Sequence, residues 1–226
     1  MGVRLQELTY AAKDPAKLAR FWAGFFGFEL SDDVVVAPAD DRAFKLRFVA
    51  SDAPKLGPNQ MHFDVTSTSP DDQQQQVDRA LELGGQHLDI GQLPDIPHVV
   101  LADPEGNEFC VIEPTNNFLA NTALIGALSS DGSQAVGYFW SKALDWPLVW
   151  DEDEETAIQA PYGGTKIAWG GPPVNPKLGV NRLQFTLVAD GNRQEEVDRL
   201  VELGATPGEG NTLTDPDGNE FVVLAG

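Results

Sequence analysis

Asp103-Pro104-Glu105-Gly106-Asn107-Glu108-Phe109 returns as Asp215-Pro216-Asp217-Gly218-Asn219-Glu220-Phe221. Upstream of it, Val77-Asp78-Arg79-Ala80-Leu81-Glu82-Leu83-Gly84 returns as Val197-Asp198-Arg199-Leu200-Val201-Glu202-Leu203-Gly204, and Phe21-Trp22-Ala23-Gly24 answers to Phe139-Trp140-Ser141-Lys142. The order of these blocks holds while their spacing drifts by a few residues, as loop lengths do. A period this long marks a duplicated domain, not a solenoid unit. The Asp-Pro-X-Gly-Asn element has aspartate, proline and glycine where a tight turn requires them, and strand-like residues flank it. It therefore reads as a hairpin turn and not as a ligand loop.

Working outward, the first half gives a strand over Val3 to Ala12 and a helix opened by Asp14-Pro15 and closed by Gly27. Strands follow at Glu29 to Ala37, Ala43 to Val49 and Met61 to Thr66. A second helix begins at Ser69-Pro70 and stops at Gly84, and short strands lie near His87, at His98 to Ala102 and at Glu108 to Glu113. The second half repeats the order, with a first strand at Thr122 to Leu128, helices at Ser133 to Leu144 and Asn192 to Leu203, and closing strands to Leu224. The chain thus reads as four βαβββ units in two domains, 1–117 and 118–226, with Pro114 to Asn121 as linker.

The chain has 226 residues and a net charge of −20, shared equally between the halves. Such a surface repels phosphate backbones and anionic lipid, so nucleic acid and membrane are excluded as expected partners. The acidic run Asp151 to Glu155 reads as a solvated loop. One cysteine leaves no intramolecular disulfide, and no leader pattern opens the sequence, which together point to the reducing cytoplasm.

Asp-Pro followed by Leu18-Ala19-Arg20-Phe21-Trp22, then Met61-His62-Phe63-Asp64-Val65, Ala80-Leu81-Glu82-Leu83-Gly84 and both Asp-Pro-X-Gly-Asn-Glu-Phe turns, resemble the vicinal oxygen chelate superfamily. This is the glyoxalase, bleomycin-resistance and dioxygenase group, and the tandem glyoxalase-like proteins common in actinobacteria are the nearest in kind. The resemblance implies an α+β fold. Each of two tandem domains would be two βαβββ units forming a curved, cup-shaped mixed sheet with helices on its outer face. It also implies a small-molecule ligand in the cup, often with a divalent metal (zinc, nickel, manganese or iron). Carried over position by position, the family's ligand positions fall on Glu7, His62 and Cys110 in the first half. In the second half they fall on Leu124, Gln184 and Val222, which are poor ligands.

Strand alternation supports one polar face in the first half, because Glu7 and Thr9, His62 and Asp64, and Glu108 and Cys110 each share a side. Glu7, a carboxylate costly to bury unpaired, is the candidate general base, with His62 beside it. Each candidate has a plainer reading. His62 is either a metal ligand or a hydrogen-bonded histidine on a wet sheet face, and Cys110 either a ligand or a small buried residue. Thr9, Asp64, Phe48, Gln184, Trp150 and Trp169 are expected to line the ligand pocket, the tryptophans being core or pocket wall. The function expected is small-molecule binding in the cup, with residual metal- or glutamate-dependent catalysis in the first domain. The alternatives are an active metal-dependent lyase, isomerase or dioxygenase of the glyoxalase type, an antibiotic-sequestering protein, or a degenerate assembly module. A monomer or homodimer is expected.

Overall fold

The computed structural model describes residues 2–32, 35–37, 43–93 and 95–226. Part of the strand expected over Glu29 to Ala37, and the start of the one expected at Ala43, fall among or beside residues outside this set. The first unit comprises β1 (Val3–Ala12), α1 (Pro15–Phe26), β2 (Glu29–Ser31), β3 (Val35–Ala37) and β4 (Leu46–Ala50). The second comprises β5 (Met61–Val65), α2 (Pro70–Glu82), β6 (Gln86–His87), β7 (Val99–Ala102) and β8 (Glu108–Val111). The third has β9 (Ile125–Ser130), α3 (Gln134–Leu144), β10 (Leu148–Glu152), β11 (Glu155–Gln159) and β12 (Lys166–Trp169). The fourth has β13 (Leu183–Ala189), α4 (Arg193–Leu203), β14 (Thr206–Pro207), β15 (Thr212–Thr214) and β16 (Glu220–Leu224).

Local chemistry sets the helix ends. Asp14 accepts the Lys17 N–H and Pro15 occupies the first turn of α1, while Gly27 closes it in the left-handed region at φ 70°. Ser69 accepts the Asp72 N–H ahead of Pro70 in α2. The strand expected from Thr122 begins instead at Ile125 and runs to Ser130, because Thr122 is turned back onto Leu119 by both its backbone and its hydroxyl.

The strands form two curved, open, eight-stranded sheets. One has the order β14-β15-β16-β13-β1-β4-β3-β2 and the other β10-β11-β12-β9-β5-β8-β7-β6. The first unit thus pairs with the fourth, through β1 antiparallel to β13, and the second with the third, through β5 antiparallel to β9. Each cup is therefore shared between the two halves of the sequence, whereas the expectation placed one cup within each half. The helix-side cores do follow the halves. Trp22 of α1 packs on Phe63 and Phe109 at ring distances of 5.3 and 5.0 Å, and Trp140 of α3 packs on Phe185 and Phe221 at 4.6 and 5.0 Å.

Both repeated turns are structural, as their residue types imply. The buried Asp103 carboxylate accepts the backbone N–H groups of Glu105 and Asn107, and Gly106 supplies φ 82°. It also accepts the Trp22 indole N–H at 3.3 Å and the Tyr10 hydroxyl at 3.2 Å. In the other turn Asp215 takes the Trp140 indole N–H at 3.1 Å. A second repeat accompanies these turns: Lys55-Leu56-Gly57-Pro58-Asn59 answers to Lys177-Leu178-Gly179-Val180-Asn181. Lys55 pairs with Glu108 at 2.5 Å and Asn59 bonds Asn107, while Lys177 pairs with Glu220 and Asn181 bonds Asn219. The glutamate of each turn thus clamps the segment that crosses from one sheet to the other.

Helix α3 lies tightly on its sheet. A Cβ at Gly137 would stand 2.0 Å from Thr156 Oγ1 and 2.7 Å from Thr156 Cβ. We expect Gly137→Ala to destabilise by about 1–3 kcal/mol through overpacking. Gly24→Ala would meet only the flexible end of Leu83, at 3.2 Å, and should be neutral or slightly stabilising because alanine suits a helix interior. Denaturant melts of the two variants check the contrast, and equal behaviour would contradict the packing assigned to α3.

Candidate functional site

Alternation along β5 sends Met61, Phe63 and Val65 into the core and leaves His62 and Asp64 on the concave face. Register then fixes their neighbours. Asp64 lies opposite Cys110 of β8 on one side and Ala127 of β9 on the other, and His62 lies opposite Ser129 of β9. One ligand atom each from His62, Asp64 and Cys110 fall within 4.8 Å of one another. His62 Nε2 stands 3.4 Å from Asp64 Oδ1, and the Ser129 hydroxyl donates to Asp64 Oδ2.

The environment sets the protonation of this group. Burial works to lower the His62 pKa, but hydrogen bonds to Asp64 and Cys110 and their charges outweigh it and push it up to about 10. Burial pushes the Cys110 thiol up, against the pull of His62. Both directions favour a proton on His62 and on the Cys110 thiol at neutral pH.

A cleft of about 710 Å³ opens above these residues, within the range of small-molecule sites. Its walls are mostly apolar: Val100, Ile90, Phe118, Trp150, Pro172 and Pro173. The linker between the halves closes one end. Its Leu119 packs with Cys110, Ile112, Val100 and Ala127, and Phe118 packs against that cluster. Trp150 meets the Phe118 ring edge-on at 5.9 Å. Lys166 stands 4.4 Å from the centre of that ring and donates to the Phe118 carbonyl, with its pKa lowered by burial. Glu155 and Asp131 lie at the rim, so the last residue of the expected solvated acidic loop borders the cleft.

The expected site residues divide between the two cups. His62, Asp64, Cys110 and Trp150 are brought together here. Trp169 borders the cleft but is 2% exposed and belongs to the core under α3. Glu7, Thr9 and Gln184 lie on the other sheet, on β1 and β13. Glu7 is buried there and bonds the Arg47 guanidinium at 2.5 Å, which raises the arginine's pKa. The Thr9 and Thr186 hydroxyls share a hydrogen bond of 2.9 Å nearby. Glu7 is therefore not a neighbour of His62, and the three-residue set of Glu7, His62 and Cys110 is not assembled. Phe48 is core, stacked on Tyr10 at 5.5 Å, and the cup-facing residue beside it is Arg47. Leu124 precedes its strand, and β9 sets Ser129 opposite His62 and Ala127 opposite Asp64. The strand expected over Thr122 to Leu128 stops one residue short of Ser129, which β9 includes.

The donors His62, Asp64 and Cys110 are of types that would hold zinc, and three protein ligands is the number that open zinc sites use. They come from one unit only. Across from them β9 and β12 present Ala127, Ser129 and Ala168, none a metal ligand of ordinary strength, and the third unit's carboxylates at the cleft, Asp131 and Glu155, are not part of the close cluster.

Two βαβββ pairs, one with a polar floor under an apolar cleft, define a paired-cup protein. A model of the glyoxalase-like domain matches residues 7–112 and 127–224, and the chain belongs to that family, within the vicinal oxygen chelate superfamily. Among solved structures it is similar to glyoxalase I from Zea mays, with a TM-score of 0.65 at 16% identity, covering 99% of this chain and 92% of that one. It is also similar to a putative dioxygenase from Bacillus subtilis, with a TM-score of 0.60 at 14% identity, covering 98% and 84%. At these identities the likeness is one of fold. Comparison with curated proteins gives no match. No helix among the described residues is long and apolar enough to cross a membrane.

Proposed function

We propose that this chain binds a small molecule in the cleft over β5 and β9, with the ligand's polar end on His62 and Asp64 and its apolar body against Trp150 and Phe118. The observation that carries this reading is the His62–Asp64–Cys110 cluster at the floor of the 710 Å³ cleft. The imidazolium donates a hydrogen bond to a ligand oxygen, carbonyl or phenolic, and charge assistance strengthens it in a partly dry site. Asp64 holds the ring in place, and Ser129 holds Asp64. Any proton delivered to the ligand comes from His62, not Glu7, whose carboxylate serves Arg47 in the other cup.

Zinc or a similar divalent ion would be held by His62, Asp64 and Cys110, and would supply polarisation of a bound oxygen. Donors from a single unit favour the binder over an active metal-dependent lyase, isomerase or dioxygenase. Sequestration of a drug-like compound is the form of this reading that needs no chemistry, and the acidic rim suits a ligand that is cationic or neutral. One chain completes both sheets, which supports a monomer, and the free thiol suits a reducing cytoplasm.

The test is a small-molecule screen by thermal shift, followed by calorimetry on the hits, beside elemental analysis of the purified protein. Hits should lose about tenfold or more in affinity in His62→Ala, consistent with the ~1.5–3 kcal/mol of a charged hydrogen bond. They should weaken in Trp150→Ala and persist in Glu7→Gln. Hits that ignore His62 and Trp150 but vanish with Glu7 would place the site in the other cup and end this reading. Stoichiometric metal, lost in His62→Ala, would favour the metal enzyme instead.

A further inference from the structure

The linker crosses the concave face of the second sheet as a strap. Asp64 of β5, Ala127 of β9 and Lys166 of β12 stand side by side on that face. Leu119 packs down on Ala127 and Cys110. It lies so close to Gly126 that a Cβ there would come within 2.9 Å of its Cδ1. The Phe118 ring precedes it, with the Lys166 ammonium 4.4 Å from the ring centre.

The same floor continues beyond the strap. Alternation puts Thr66 on the face of Asp64 and Ile112 on the face of Cys110. Asp64, Cys110 and Phe118 border the 710 Å³ cleft, whereas Thr66, Ile112 and Leu119 border a separate chamber of about 270 Å³. That chamber has Ser67, Thr68, Asn116 and Asn121 in its walls. Two consecutive linker residues thus divide one trough into an apolar part and a polar part.

The strap is held in shape from within. Asn116 Oδ1 accepts the Leu119 N–H, and the Leu119 carbonyl accepts the Thr122 N–H and hydroxyl. Among the described residues, the one polar tie from Phe118 and Leu119 to the floor is Lys166, which donates to the Phe118 carbonyl. Among those residues, too, no carboxylate lies within ion-pair distance of this lysine. The chain has 35 acidic and 15 basic residues, so an ammonium set on a ring and not on a carboxylate is out of keeping with its surroundings. A ring releases a cation at smaller cost than a buried carboxylate does, which makes the contact one that can open.

We propose, resting on the cleft being a small-molecule site, that Lys166 is a positioning residue that latches the strap as a removable partition. Lifting the strap joins the two chambers, and the cup then takes longer ligands whose polar far end enters the second chamber.

Phenols carrying straight alkyl chains of increasing length, each ending in a hydroxyl, test this by calorimetry. On the unmodified protein, affinity should rise about fourfold per methylene until the tail meets the strap, and then level off. In Lys166→Met the limit should move out by several methylenes, since the floor from Asp64 to Thr66 adds about 7 Å. Lys166→Arg, which keeps the cation and the donor, should restore the original limit. A merely structural lesion lowers all affinities together and moves no limit. Amide hydrogen exchange without ligand gives a second reading. Residues 117–122 should exchange about tenfold faster or more in Lys166→Met, with the helices unchanged. Unaltered exchange in the strap, or the same length limit in both proteins, would overturn the proposal alone. Binding of no phenol by either protein would remove the reading of the cleft, and the proposal with it. If Lys166→Met does not fold, Lys166→Gln, which keeps a donor and drops the charge, decides by the same two measurements.

Discussion

Asp103→Ala should cost about 3–5 kcal/mol, because it strips the acceptor from several buried donors at once. The Trp22 indole N–H and the Tyr10 hydroxyl both end on Asp103 Oδ2, and the Glu105 and Asn107 backbone N–H groups end on Oδ1. Burial pushes this carboxyl's pKa upward against the pull of those donors, a sign of how dry the position is. At this chain length each kcal/mol shifts the melting temperature by about 2–4 °C, so a fall of about 6–20 °C is expected. Asp215→Ala is the internal control. Asp215 takes the Trp140 indole and the turn's own N–H groups, with no tyrosine among its donors. Its loss should be visibly smaller. Paired thermal or denaturant melts check this, and equal losses would show that the Tyr10 bond adds nothing.

The second large effect is the titration of His62. Its imidazole resonance should follow a midpoint of about 10, more than three units above the free side chain. Asp64→Asn, which removes the charge that faces the ring, should bring that midpoint down sharply. The sign for stability follows from linkage. Between about 6.5 and 10 the folded state keeps a proton that the unfolded chain has released, so stability falls as pH rises through this window. The contribution is complete below pH ~6.5 and gone above about 10. The raised thiol of Cys110 acts in the same direction at the alkaline end. Melting temperatures from pH 6 to 10 should therefore decline more steeply in the unmodified protein than in His62→Gln. Nuclear magnetic resonance titration gives the decisive reading, and a midpoint near the free value would remove the imidazolium from the account of the cleft.

Most of the architecture could be read from residue order because it is written in local chemistry. Asp14-Pro15 and Ser69-Pro70 open helices, Gly27 closes one, and alternation on Met61 to Val65 sorts His62 and Asp64 from the core. The assembly of the cups was not legible. Alternation says which face a side chain joins, but nothing in it says whether β1 lies beside β5 or β13. That choice is made by contacts far apart in the chain, so Glu7 and His62, which share a half, end in different sheets. The crossover clamp was legible in principle, since the Lys-Leu-Gly motif repeats as clearly as the turns do. Its meaning depends on knowing that Lys55 reaches Glu108 and Lys177 reaches Glu220.

The pairing of β1 with β13 and of β5 with β9 also bears on how such a chain can diverge. Duplication ordinarily frees one copy to drift while the other preserves the ancestral task. Here neither copy owns a whole bowl, and each long seam joins one copy to its sibling. A change at Ser129 alters the support of Asp64 in the other half, and a change at Thr186 is felt by Thr9. The freedom gained by duplication is therefore exercised bowl by bowl, with both copies bound to each outcome.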